Sequence, residues 1–142
     1  MLELDSITGI IVNSAVKIHR DLGPGLMESV YELVLARDLD KCGLQVERQK
    51  LVQFEYDGLI IHDGFKVDLL VESRVPLELK SLETLAPVHF KQILTYLRLL
   101  KQPVGLLMNF GAVTMKEGLH RVVNKLAACD SPTLRVNQQP ER

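Results

Sequence analysis

The sequence predicts an α/β domain built on a mixed sheet, and three features carry that expectation. Residues 7–41 contain two stretches of helical periodicity. Residues 46–83 are Val- and Leu-rich runs punctuated by turn residues, which read as successive strands. A helix opened by Pro87 then leads into residues 104–110, which are almost continuously apolar. A strand, a helix and a strand joined by tight connections imply a right-handed parallel crossover.

Taken in order, Ile7, Ile10, Ile11, Ser14, Ala15 and Ile18 mark the buried face of the first helix. Asp5 and Ser6 are both good N-cap types, and Gly23 followed by Pro24-Gly25 stops the helix. His19 falls in the last turn, where the helix dipole favours an imidazole, so a capping role is expected for it. A second helix covers residues 27–41 and stops at Gly43, with Glu28, Tyr31 and Leu35 on one face. On spacing alone Glu28 is a first-turn acid that complements the helix dipole.

From Leu44 the pattern turns to strands. Residues 46–56 alternate loosely, Asp57-Gly58 signals a hairpin turn, and residues 59–62 resume the strand. Asp63-Gly64 reads as a second turn or a bulge, and His62 as a surface residue. Pro87 suits the first position of the third helix, whose apolar stripe is Ile93, Leu94, Leu97 and Leu100. His89, Gln92 and Tyr96 lie on its more polar face, and Gln102-Pro103 ends it. Residues 104–110 suit a strand buried on both faces. Residues 118–124 fit a last edge strand or a short helix.

Size and composition narrow the function classes. The chain of 142 residues suits one domain, here residues 1–126, and the polar segment 127–142 with its two prolines reads as a frayed tail. The formal net charge of -1 excludes a global basic field for nucleic acid. No apolar run reaches the length of a membrane span, and the start lacks the pattern of a signal peptide. Cys42 and Cys129 fit no zinc spacing, and reduced thiols in a cytoplasmic protein are expected.

The chemistry concentrates in residues 66–83. A polar break at Glu72-Ser73-Arg74 makes the two halves of this stretch a hairpin. A two-residue loop would set Asp68 opposite Leu79, whereas a three-residue loop sets Val71 opposite Val75 and Asp68 opposite Glu78. Facing residues have Cβ atoms about 4.5–5.5 Å apart. Two carboxylates that close repel unless a proton or a cation lies between them, and a hard divalent ion such as Mg²⁺ suits the place. Lys80 shares the face of Glu78 and would lie beside the ion.

Asp68, nine residues, Glu78, one residue, Lys80 resembles the signature of the PD-(D/E)XK nuclease superfamily. Gly25, Glu28 and Tyr31 form the G-x-x-E-x-x-Y signature of the GxxExxY protein family, placed within that superfamily. The likeness extends to His19-Arg20, Leu22-Gly23-Pro24-Gly25 and Pro87-Val88-His89. Gln92 and Tyr96 resemble the Q-x-x-x-Y element of the exonuclease branch.

The resemblance implies a restriction-endonuclease-like αβββαβ core with a mixed central sheet flanked by helices. It implies Asp68, Glu78 and Lys80 as the catalytic triplet, and Glu28 as a further acid at a Mg²⁺ or Mn²⁺ site held by Asp68 and Glu78. Gln92 would position a water or a phosphate, and Tyr31, His89 and Tyr96 would lie behind the site or against substrate. The implied partner is nucleic acid, DNA or RNA, contacted through its backbone with little sequence specificity. Arg48, Lys50, Lys66 and Lys91 are the candidate phosphate contacts. The rival expectation is a catalytically silent scaffold in which the acids and Lys80 form a buried salt-bridge cluster. A third is a subunit of a larger nucleic-acid-processing complex, and a homodimer is left open.

Overall fold

The computed structural model describes residues 2–125 and the backbone of residues 134–136. Helix α1 (Leu4–Leu22) begins just ahead of the expected cap residues, with Glu3 at the N-cap and Asp5 inside the first turn. Leu4 packs against the core, which extends the helix past Asp5 and Ser6. Gly23 ends α1 at φ +77, a conformation that residues with a Cβ rarely adopt. Helix α2 (Glu28–Lys41) follows, and Gly43 lies just beyond it at φ +89.

Strand β1 (Val46–Tyr56) turns at Asp57-Gly58 into β2 (Leu59–Val71), a single strand through the Asp63-Gly64 position. The register slips there: Val52 pairs with Phe65 but Phe54 with Ile61, so His62, Asp63 and Gly64 bulge opposite Gln53. A Cβ at Gly64 would meet the Phe54 ring at 2.3 Å, so this bulge needs glycine for space. Strand β3 (Val75–Lys80) pairs with β2 in the register Val71↔Val75, the one a three-residue loop requires. Glu72 in that loop exchanges hydrogen bonds with Gln45: its N–H donates to the Gln45 carbonyl (2.8 Å), and its carboxylate accepts from the Gln45 N–H (2.6 Å).

Helix α3 (Pro87–Leu100) carries the chain to β4 (Val104–Asn109), which lies parallel to β3. Its buried residues are Ile93, Leu97, Leu99 and Leu100, so Leu99 takes the deep position expected for Leu94. The open choice over residues 118–124 resolves as a strand: α4 (Met115–Gly118) is one short turn, and β5 (Leu119–Val123) pairs antiparallel with β4. Strand β6 (Leu134–Val136) pairs with the far end of β1. Apart from that backbone, the segment expected to be a frayed tail lies outside the described residues, as does Cys129.

The sheet order is β5-β4-β3-β2-β1-β6, antiparallel except between β3 and β4, which gives the mixed sheet flanked by helices that the sequence predicts. Leu69, Val71, Val75, Leu77 and Leu79 form one core with α1 and α2. Alternation along the strands then puts Asp68, Leu70, Pro76, Glu78 and Lys80 on the opposite face. There Leu70 packs with Leu100 and Tyr96 of α3. Among the described residues no helix is long and apolar enough to cross a membrane.

Candidate active site

The β2–β3 ladder runs from Val71↔Val75 to Leu69↔Leu77 and stops there. One step further Asp68 faces Glu78, and side chains replace carbonyls as acceptors. The Asp68 N–H donates to Glu78 Oε2 (3.0 Å), and the Leu79 N–H donates to Asp68 Oδ2 (2.9 Å). Each carboxylate is thus held by backbone of the opposite strand, at the point where the ladder ends. Glu78 is 4% exposed. Burial, followed by the Asp68 charge, pushes its carboxyl pKa up to about 8. Glu28 pushes the same way, while the Asp68 N–H and the Lys80 charge pull it down.

Lys80 is half-buried and, among the described residues, forms no ion pair with either acid. The salt-bridge cluster that the scaffold expectation requires is therefore not formed around it. Lys80 instead lines a groove of about 430 Å³ with Val88, His89, Lys91, Gln92 and Thr95. The Ala86 N–H donates to His89 Nδ1 (2.9 Å), so the neutral imidazole carries its proton on Nε2. Gln92 donates to the Tyr96 hydroxyl (3.0 Å), whose ring stacks on Phe65 with centroids 4.4 Å apart. Burial, and then the charge of Glu78, raise the Tyr96 pKa.

Glu28 opens α2 and is exposed. The loop ahead of it is fixed at two points. Ser81 Oγ donates to the Leu26 carbonyl (2.6 Å), which ties the loop to the chain just past β3. The Tyr31 hydroxyl donates to the Gly23 carbonyl (2.6 Å) and accepts from the Leu26 N–H (3.1 Å). Tyr31 itself is fully buried and stacks on Phe110 at 4.5 Å, so its hydroxyl shapes the loop and does not face the groove.

A family model described as the PD-(D/E)XK nuclease superfamily matches residues 5–122, which runs from the first turn of α1 into β5. The chain belongs to the PD-(D/E)XK nuclease superfamily. Comparisons with curated proteins and with solved structures found no match. Membership of this superfamily makes the chain a nuclease-like protein and implies nucleic acid as the substrate class.

Nucleases of the PD-(D/E)XK superfamily generally use divalent metals, and the donor set here can be tested against that. Two facing carboxyl groups, one of which burial and then the charge of the other push toward its protonated form, make a place where a cation relieves repulsion. The oxygen-only pair suits a hard ion, which commonly takes one or two carboxylates and completes its shell with waters and phosphate. Among the described residues, no group of three His, Cys, Asp or Glu side chains stands ready to hold a metal, so Glu28 does not complete a cage with the pair. The residues fit an ion held by Asp68 and Glu78, with Glu28 contributing charge nearby.

Several features of this PD-(D/E)XK site are not those the sequence suggests. His19 does stand in the last turn of α1, but it is 7% exposed and its Nε2 meets the Ala112 carbonyl at 2.9 Å, bridging α1 to the chain beyond β4. Arg48 pairs with Glu32 (3.1 Å) and Lys50 with Glu47 (3.0 Å), which engages two of the four candidate phosphate contacts. Four residues that support the site have no motif in the sequence to mark them. Asn109 accepts from the Leu82 and Gly111 N–H groups and donates to the Leu82 carbonyl, fixing the turn that leaves β3. A Cβ on Gly111 would meet the Leu82 carbonyl oxygen at 2.3 Å, so only glycine lets the two segments approach. Gln49 adjoins Asp68, and Glu32 holds the Gln49 amide. Glu32 was detectable, because like charges at Glu28 and Glu32, four apart on one helix, require compensation.

Proposed function

We propose that this protein is a divalent-metal-dependent phosphodiesterase that hydrolyses DNA or RNA, of the GxxExxY branch, acting in the cytoplasm. The observation that carries this reading is the facing pair Asp68 and Glu78 at the open end of the β2–β3 ladder, with Lys80 beside it and, among the described residues, no salt bridge engaging its ammonium. Asp68 and Glu78 hold the ion, Mg²⁺ or Mn²⁺, and Glu28 strengthens the local negative field. When bound, the ion supplies Lewis-acid polarisation of the phosphoryl group and acidifies a water.

The remaining chemistry falls to side chains. Lys80 neutralises charge that develops on the phosphoryl oxygens, and Gln92, oriented by Tyr96, places the attacking water or a phosphate oxygen. His89 presents its Nε2–H, and Lys91 its ammonium, to the phosphate backbone along the groove. None of these contacts reads a base, consistent with little sequence specificity. Residues 1–126 act as one domain in this proposal.

A second reading, as a subunit of a larger nucleic-acid-processing complex, is favoured by one observation. Ion pairs engage Arg48 and Lys50, two of the four candidate phosphate contacts, and a partner or a second copy would add to the basic surface.

The test is cleavage of end-labelled single-stranded and duplex DNA and RNA in Mg²⁺ or Mn²⁺, with Asp68→Asn and Lys80→Met as controls. Metal-dependent cleavage that falls at least about 100-fold in both variants is expected. Equal cleavage by wild type and Asp68→Asn would assign the activity to a contaminant or to another site.

A further inference from the structure

We infer that Gln49, aligned by Glu32, is a positioning residue that holds the Asp68 carboxylate in register; the inference rests on the metal-site reading above. The register Arg48↔Leu69 and Lys50↔Val67 puts Gln49 across from Asp68, yet Gln49 itself is missing from the ladder. Its backbone sits at φ +50, in the left-handed region that residues with a Cβ rarely adopt. Such strain persists only where the surroundings enforce it, and it clusters at functional sites.

The surroundings here are two carboxylates. Gln49 Nε2 donates to Glu32 Oε1 at 2.6 Å and lies 3.4 Å from Asp68 Oδ1. Ionised carboxylates only accept, so the NH₂ end of the amide must face both of them, and the side-chain orientation is fixed by chemistry. Glu32 is 7% exposed and cannot swing away, because Arg48 Nε holds its other oxygen at 3.1 Å. A chain of contacts therefore runs from Arg48 through Glu32 and Gln49 to Asp68, linking α2, β1 and β2. Its effect on Asp68 is specific. The Leu79 N–H holds Oδ2 and the Gln49 amide approaches Oδ1, so both oxygens are oriented. The Asp68 contact is the longer of the two, an orienting contact that an arriving cation can replace without breaking the Glu32 bond.

A purely structural role, tying α2 to β1, is already met by Arg48 and Glu32. It does not call for a left-handed glutamine opposite Asp68. The two roles separate in Gln49→Gly and Gln49→Ala of the full chain. Glycine adopts φ +50 freely, so Gln49→Gly relieves the strain while removing the amide.

Calorimetric titration with Mg²⁺ and Mn²⁺ should show affinity about 10–100-fold weaker in both variants. The melting temperature of Gln49→Gly in chelator should stay within about 4 °C of wild type. In the ion-free protein, the two side-chain amide proton resonances of Gln49 should respond separately, one to Asp68→Asn and the other to Glu32→Gln. Unchanged ion affinity in both glutamine variants, with or without a fall in melting temperature, overturns the inference. If wild type binds no ion, the nuclease reading fails. The positioning role is then decided by the amide resonances alone, and indifference of both protons to Asp68→Asn overturns it.

Discussion

The N–H of Asp68 donates to the Glu78 carboxylate at 3.0 Å, while the Asp68 carboxylate accepts the N–H of Leu79, the residue next to Glu78, at 2.9 Å. Neither acid can turn away without leaving a backbone donor unpaired, so the two carboxyl groups are locked face to face. Asp68→Asn keeps an oxygen to accept the Leu79 N–H but removes one charge. The variant should melt in chelator at or above the wild-type temperature. In a salt-bridge cluster the same change would strand a buried lysine charge, and breaking such a pair costs about 3–5 kcal/mol. Thermal unfolding followed by circular dichroism separates the two outcomes.

Stability in the absence of divalent ions should fall as pH rises. The Glu78 carboxyl titrates near 4.5 in the unfolded chain and is pushed up to about 8 in the folded protein by burial and by Asp68. Between those values the folded state keeps a proton that the unfolded state has lost. The ion-free protein therefore loses stability across that window, at up to about 1.4 kcal/mol per pH unit from this group, and levels off above it. Glu78→Gln should flatten the profile. Chemical denaturation from pH 5 to 9 in chelator checks both statements.

Much of this site was legible in the sequence because strand parity is unforgiving. A three-residue loop at Glu72 to Arg74 leaves only one way for Asp68, Glu78 and Lys80 to share a face, and the observed Val71↔Val75 register is that way. Pro87 and the apolar run after Pro103 likewise announced the helix between two parallel strands. What stayed hidden depends on contacts between distant segments. His19 to Ala112, Asn109 to Leu82 and Glu32 to Gln49 join residues with no local pattern in common. The left-handed backbone of Gln49 has no sequence signature, since glutamine is not a residue that favours it.

Nucleic-acid affinity should depend on salt with a shallow slope, and the cations should contribute unequally. Lys66 and Lys91 are exposed and form no ion pairs among the described residues, whereas Arg48 is paired with Glu32. Lys66→Ala and Lys91→Ala should each lower the slope of log K against log salt by about 0.7–0.9. Arg48→Ala should leave that slope unchanged and instead weaken divalent-ion affinity through Glu32. Fluorescence anisotropy with a labelled oligonucleotide, repeated across salt concentrations, measures the slopes.

Asn109 should be the costliest polar residue to truncate. At 3% exposure it satisfies the Leu82 N–H, the Leu82 carbonyl and the Gly111 N–H at once. Asn109→Ala leaves those groups to be unpaired or hydrated, at roughly 1–3 kcal/mol for each that stays buried. The expected result is a clear fall in melting temperature. Asn109→Asp, which keeps the acceptor for the two N–H groups, should lose less.

The most direct test of the central claim is calorimetric titration of Mg²⁺ and Mn²⁺ at pH 7 into wild type and Asp68→Asn, in two buffers of different ionisation enthalpy. An ion that displaces the Glu78 proton should give a buffer-dependent heat corresponding to nearly one proton released per ion. Wild type should show that heat and Asp68→Asn should show no binding. A wild type that takes up no divalent ion, or an Asp68→Asn variant that binds as tightly as wild type, would contradict the account.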